Sequence, residues 1–272
     1  MRGSSAGLIT ALLTVVALFA LAGYQITSTT AGVRFEGRLG SALIELDRWL
    51  PTHREDLSLL SRDRPTAPLA LPDVPIEISI PADQISNTSD QQLEATITNA
   101  MGRVLYHGGS DAVHDEQGKS HLSVTDPVHW AINLTGSGAH SFWRTVLFIT
   151  GLILLAVCVA QLYARHSPLP GLAVGGGIAA IGALLLWIAA QFIHASVSSA
   201  VDKEIALVLR DGAWLGLRNA LAVTAIALSA LYLTGLFARH EQANEGWYDD
   251  ELDYADEPFP PREPPHDAPH YY

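Results

Sequence analysis

Three stretches of this chain constrain its fold more than any other feature. Residues 145–164 read TVLFITGLILLAVCVAQLYA and carry no charge. Residues 171–195 (GLAVGGGIAAIGALLLWIAAQFIHA) contain no acid, lysine or arginine, and residues 215–238 (LGLRNALAVTAIALSALYLTGLFA) carry only Arg218. A bilayer crossing takes about 20 apolar residues, so each reads as a transmembrane helix. Arg218 lies near one end of its segment, where a long side chain can reach the interface. Trp143, Tyr163, Trp214 and Tyr232 flank the spans or lie towards their ends, the level that amphipathic aromatics favour.

A fourth stretch, residues 7–24 (GLITALLTVVALFALAGY), has two readings. Ala20-Leu21-Ala22 resembles a signal-peptidase site, and cleavage there would leave three spans. Retained as an anchor, the segment makes four. Its apolar run exceeds the usual 7–15 residues of a signal h-region, which favours the anchor.

The spans divide the chain. Residues 1–6 form a short cytoplasmic N-terminus, 7–24 the first span or signal, and 25–142 an extracytoplasmic domain. Residues 143–164 form the second span, 165–170 a cytoplasmic hairpin, and 171–195 the third span. Residues 196–214 are an outer amphipathic helix and turn, 215–238 the fourth span, and 239–272 a disordered acidic cytoplasmic tail. The orientation follows from basic residues counted near the span ends. Arg2, Arg165 and Arg239 mark the cytoplasmic side, against the opposing pull of Arg144, Lys203, Arg210 and Arg218.

Charge separates the tail from the body. Of the net charge of −12, the segment 241–272 contributes ten acids against one base, Arg262. Such a tail repels phosphate, which excludes nucleic acid as its partner. It is proline-rich and too polar to bury a core. It nevertheless keeps Trp247, Tyr248, Tyr254 and Phe259, and aromatics spaced by acids suit a basic cytoplasmic protein on which the tail would fold. The single cysteine, Cys158, excludes an intrachain disulfide.

The region before the second span carries helical and extended patterns. Phe35, Leu39, Leu43, Leu46 and Leu50 repeat at helical spacing up to Pro51, which is expected to stop the helix. Pro65, Pro68, Pro72 and Pro75 predict an extended, unpacked linker. Ile76, Ile78 and Ile80 alternate with polar residues, as in a half-buried strand. A helix then presents Leu93, Ile97, Met101 and Leu105, with Asn87 or Thr88 as its cap and Gly108-Gly109 as its end. The expected fold class is a mainly α integral membrane protein with a small mixed α/β extracytoplasmic domain.

Two patterns predict packing. Val197, Val201, Ile205 and Leu209 make an apolar stripe, expected to continue the third span to Gly212 and to pack against the domain. Gly171 and Gly175 form GxxxG, a close-packing surface for another helix of this chain, a membrane protein partner or a second copy.

The stretch YHGGSDAVHDEQGKSHL places histidines seven residues apart, at 107, 114 and 121. On a helix that spacing separates them by about 10 Å, too far for ligands at about 2.1 Å from one zinc. In a strand it puts them on opposite faces. No metal set is therefore assigned; only a loop that gathered His107, Asp111, His114 and His121 would provide one. GxSxG, the P-loop and HExxH are missing, Gly136-Ser137-Gly138 lacks the spacing of a nucleophile elbow, and the spans contain no acid for a carboxylate proton relay. No catalytic residue and no cofactor is expected. The sequence reads as a non-enzymatic multi-pass protein of the cell membrane, with an extracytoplasmic sensing or binding domain and a partner-binding tail. The alternatives are an accessory subunit of a transport or envelope assembly complex and a metal-dependent enzyme built on the histidine loop.

Overall fold

The computed structural model describes residues 2–65, 67–86, 88–114 and 126–253. Its helices are α1 (Arg2–Ile26), α2 (Thr29–Leu43), α3 (Leu46–Asp63), α4 (Ala82–Ser86), α5 (Asp90–Gly108), α6 (Pro127–Thr135), α7 (Ser137–Tyr163), α8 (Leu169–Ser196) and α9 (Ala200–Asp253). Four contain segments long and apolar enough to cross a membrane: Ser5–Ile26, Ser137–Tyr163, Leu169–Ser196 and Ala200–Phe237. Their large apolar side chains are widely exposed, including Phe19, Phe148, Leu185 and Ile226. Lipid is the solvent that suits such a surface, and the chain is a membrane protein. It divides into two units, Met1–Ala227 and Leu228–Tyr272; the contacts below lie in the first.

Among the spans, α1 has the widest set of neighbours. Leu18 forms a small buried cluster with Ala180 of α8 and Ala220 of α9. Gly171 and Gly175 face it within the chain: a Cβ at Gly171 would lie 2.7 Å from Thr10 Cβ, and one at Gly175 would lie 2.7 Å from Thr14 Cβ. The GxxxG surface is thus occupied by the chain's own first helix. Polar contacts fix the arrangement. Gln161 of α7 donates to the Ala6 carbonyl at 2.9 Å and to Thr10 Oγ1 at 2.7 Å. Asn219 of α9 donates to Gln25 Oε1 at 2.9 Å.

The domain between the first two spans is built of helices. The described residues are 84% helical, and the sheet among them is two three-residue strands, β1 (Pro68–Ala70) antiparallel to β2 (Ser79–Pro81). The expected mixed α/β domain is therefore reduced to a helical one with a minimal hairpin. Leu39, Leu57, Ile85, Leu93, Ile97, Met101, Leu105 and Ile132 are fully buried in one core. Each such side chain contributes about 1.5–3 kcal/mol relative to exposure.

Several local expectations change. The helix expected up to Pro51 is two helices, broken at Ile44–Glu45, where Glu45 takes φ 49°. Pro51 lies inside α3, where it forfeits one helix hydrogen bond, and burial of Leu57 one and a half turns on carries the helix forward. The proline segment is packed rather than free: Leu69 and Leu71 are buried, and the Leu71 amide donates to the Ile78 carbonyl at 3.2 Å. Ile76, Ile78 and Ile80 all point into the core. The cap of α5 is Ser89, in a capping box with Gln92, in place of Asn87 or Thr88. At its other end Gly109 takes φ 64°, a conformation that favours glycine. Asp126 caps α6, with Pro127 in its first turn; this helix has no counterpart in the sequence reading.

The outer stripe belongs to the fourth span. The chain breaks at Val197–Ser199, which leaves Val197 outside the helix that carries the rest of the stripe, and α9 runs through Gly212 without interruption. Its 38-residue apolar segment is far longer than a crossing requires, so its first turns are free to stand beside the domain. Val201, Ile205 and Val208 pack on the domain core, whereas Leu209 stays 42% exposed. At this contact Arg38 of α2 pairs with Glu204 at 3.2 Å. Helix α9 also continues to Asp253, so residues 239–253, expected to lack structure, are helical; Glu, Gln, Ala and Leu in this stretch are good helix formers.

Candidate functional site

Helix α2 places Phe35 and Glu36 on the face turned to the rest of the molecule. Gly32, Glu36, Leu39 and Leu43 share helical spacing, so the glutamate occupies a position in an apolar stripe. Its side chain is completely buried. Thr135, in the last turn of α6, donates its hydroxyl to Glu36 Oε1. Glu36 Oε2 is buried without a hydrogen-bond partner. Burial raises the carboxyl to about 8, against the smaller lowering effect of the Thr135 hydrogen bond. The geometry agrees. Thr135 has one hydroxyl proton and two acceptors, Glu36 Oε1 and the Ala131 carbonyl at 2.8 Å. Glu36 thus has at most one shared donor at Oε1 and none at Oε2, which leaves its charged form poorly supported.

Thr135 also lines a cavity of about 580 Å³ at the junction of the spans and the domain. One wall comes from α1, through Leu18, Phe19, Ala22 and Ile26. The facing walls come from Ile178, Gly182 and Leu186 of α8 and from Ile205, Val208 and Gly216 of α9. Trp143 of α7 closes one side, set edge-on to Phe19 at 5.8 Å. Gly23 makes room for it, since a Cβ there would lie 2.5 Å from the indole. Phe35, Ala131 and Leu134 border it on the domain side. The concavity is partly open and almost wholly apolar, so its walls offer water few partners. The volume falls within the roughly 300–1,000 Å³ of small-molecule sites. What fits chemically is a flexible apolar chain.

The histidine stretch does not build a comparable site. His107 ends α5 and is exposed, Asp111 lies in a short 3-10 turn, and the His114 amide donates to the Pro75 carbonyl at 2.7 Å beside an Ile76–Val113 bridge. No group of three or more His, Cys, Asp or Glu among the described residues is placed to hold a metal. His121 lies outside the described residues, as do Tyr254 and Phe259 of the tail; Trp247 and Tyr248 fall on the backbone of α9. Comparison of the chain with protein-family models, with curated proteins and with solved structures finds no match.

Sequence reasoning missed both the cavity and Glu36. The cavity is a gap between helices far apart in the chain and leaves no local signal. Glu36 does leave one, an acid in register with Leu39 and Leu43 among closely spaced glycines.

Proposed function

We propose that this chain is a non-enzymatic, multi-pass protein of the cell membrane that binds a lipophilic ligand in the cavity shared by its spans and its inter-span domain, and that the domain is the extracytoplasmic sensing part. The supporting observation is that one apolar cavity is walled by α1, α8 and α9 and bordered by Phe35, Ala131 and Thr135 of the domain. A ligand there touches both parts, so its presence bears on how the domain sits on the spans. The acidic aromatic tail is the proposed contact with a basic cytoplasmic protein.

Native mass spectrometry of the protein released from detergent tests this reading. Gly182 lines the cavity, and a Cβ there meets nothing within 4 Å, so Gly182→Leu fills space without a backbone clash. Gly151 on α7 is equally open but lies away from the cavity. Wild type and Gly151→Leu should retain one lipophile, and Gly182→Leu should lose it. A wild type without a retained lipophile, or equal retention by Gly182→Leu, overturns the proposal.

A further inference from the structure

A second concavity lies between α2 and α5, and its chemistry is opposite to that of the cavity. Arg34 and Arg38 of α2 line it with Arg103 and His107 of α5, and Thr29 and Thr30 form one end. Thr98 and Asn99 add further hydrogen-bonding groups, and no acid lines it. In a chain with a net charge of −12, this convergence of three arginines departs from the average. Arg38 is engaged by Glu204 at 3.2 Å. Arg34 and Arg103 are exposed and make no ion pair among the described residues.

The position of the cleft selects its partner. Thr29 and Thr30 follow closely on Ile26, the last residue of the first span. The other wall is held at the same level, because the Tyr106 hydroxyl donates to the Thr27 carbonyl at 3.0 Å. His107, next in sequence, therefore stands beside the end of the span, as do the two threonines. The lower rim of the cleft is at the depth where headgroup phosphates lie, immediately outside the hydrocarbon. Arginine presents planar, paired N–H donors that match a phosphate, and long cationic side chains near a bilayer draw anionic lipid towards them.

We propose that this cleft holds the phosphate of an anionic phospholipid from the adjoining leaflet, with Arg34 and Arg103 as its principal contacts. The site is separate from the apolar cavity: on α2, Phe35 lines the cavity and Arg34 lines the cleft. Loss of one leaves the other in place.

The test uses the full chain in nonionic detergent doped with either phosphatidylglycerol or phosphatidylcholine of the same acyl composition, with bound lipid counted by native mass spectrometry. Phosphatidylglycerol should be retained in preference to phosphatidylcholine. Arg34→Ala/Arg103→Ala should weaken that retention by roughly tenfold or more, while Arg34→Lys/Arg103→Lys keeps the preference in weaker form. Arg62→Ala/Arg64→Ala, exposed cations at the end of α3, should leave it unchanged. Equal retention of the two lipids overturns the proposal, as does a double alanine variant that binds phosphatidylglycerol like wild type. Full displacement of the lipid by millimolar inorganic phosphate reassigns the site to a free anion and also overturns it.

Discussion

The hydroxyl of Thr135 bonds to Glu36 Oε1 in a fully buried contact between α6 and α2. The carboxyl's value in the folded protein, about 8, lies above its ordinary 4.5. Between those values the folded chain keeps a proton that the unfolded chain has released. The stability contributed is therefore fully present below about pH 4.5, declines as pH rises, and is lost above about 8. The full span is on the order of 5 kcal/mol. Thermal unfolding of the purified protein between pH 5 and 9 should show this decline. In Glu36→Gln, which keeps an acceptor for Thr135, the decline should flatten. Parallel profiles for the two proteins would remove Glu36 as its source.

The contact of α9 with the domain gives a graded prediction. Ile205 packs on the domain core, whereas Leu209 is 42% exposed. Ile205→Asp places a carboxylate against apolar side chains and should cost roughly 2 kcal/mol or more; Leu209→Asp should cost less. Limited proteolysis in one detergent should show faster cleavage within residues 39–105 for Ile205→Asp, with Leu209→Asp closer to wild type. The reverse order would contradict the packing.

The crossing of α2 and α5 depends on Gly102. A Cβ there would collide with the Val33 carbonyl and would lie 2.9 Å from the Gly37 nitrogen. Backbone cannot give way as a side chain can, so Gly102→Ala should destabilise the domain by roughly 1–3 kcal/mol. Gly177→Ala on α8, where a Cβ meets nothing within 4 Å, should be neutral. Melting temperatures of the two variants, measured together, check the contrast.

The proposed topology puts the domain and the α8–α9 turn on one side of the membrane. With Cys158 replaced by alanine, cysteines at the exposed positions Gln91 and Ser199 should both react with an impermeant maleimide added outside the cell. Reaction at one position alone would exclude a shared face.

What the sequence reveals here is what repeats locally. Leu93, Ile97, Met101 and Leu105 recur every four residues, and all four are fully buried. The long apolar runs are legible for the same reason. Competing local signals mislead at Pro51, where the proline argued for a stop but Leu57 and the packing of α3 prevail. The end of α8 is displaced in the same way: the Val201–Ile205 pattern is real, but its helix begins at Ala200 rather than continuing from the third span. The lipophilic cavity and the arginine cleft depend on which distant helices meet, and no short window of sequence contains that information.

The threonines of α1 bear on how the protein is made. Thr14 bonds to the Thr10 carbonyl at 2.7 Å and Thr10 to the Ala6 carbonyl at 3.1 Å, so both hydroxyls are satisfied by their own helix. Helix α1 precedes α7 in the chain and can reside in lipid with these groups quenched while more than a hundred further residues are synthesised. Gln161 is different: its amide finds Ala6 and Thr10 only when α7 meets α1. The later helix therefore needs the earlier one already waiting, and the order of translation is also the order in which the bundle can be assembled without a stranded amide in the bilayer.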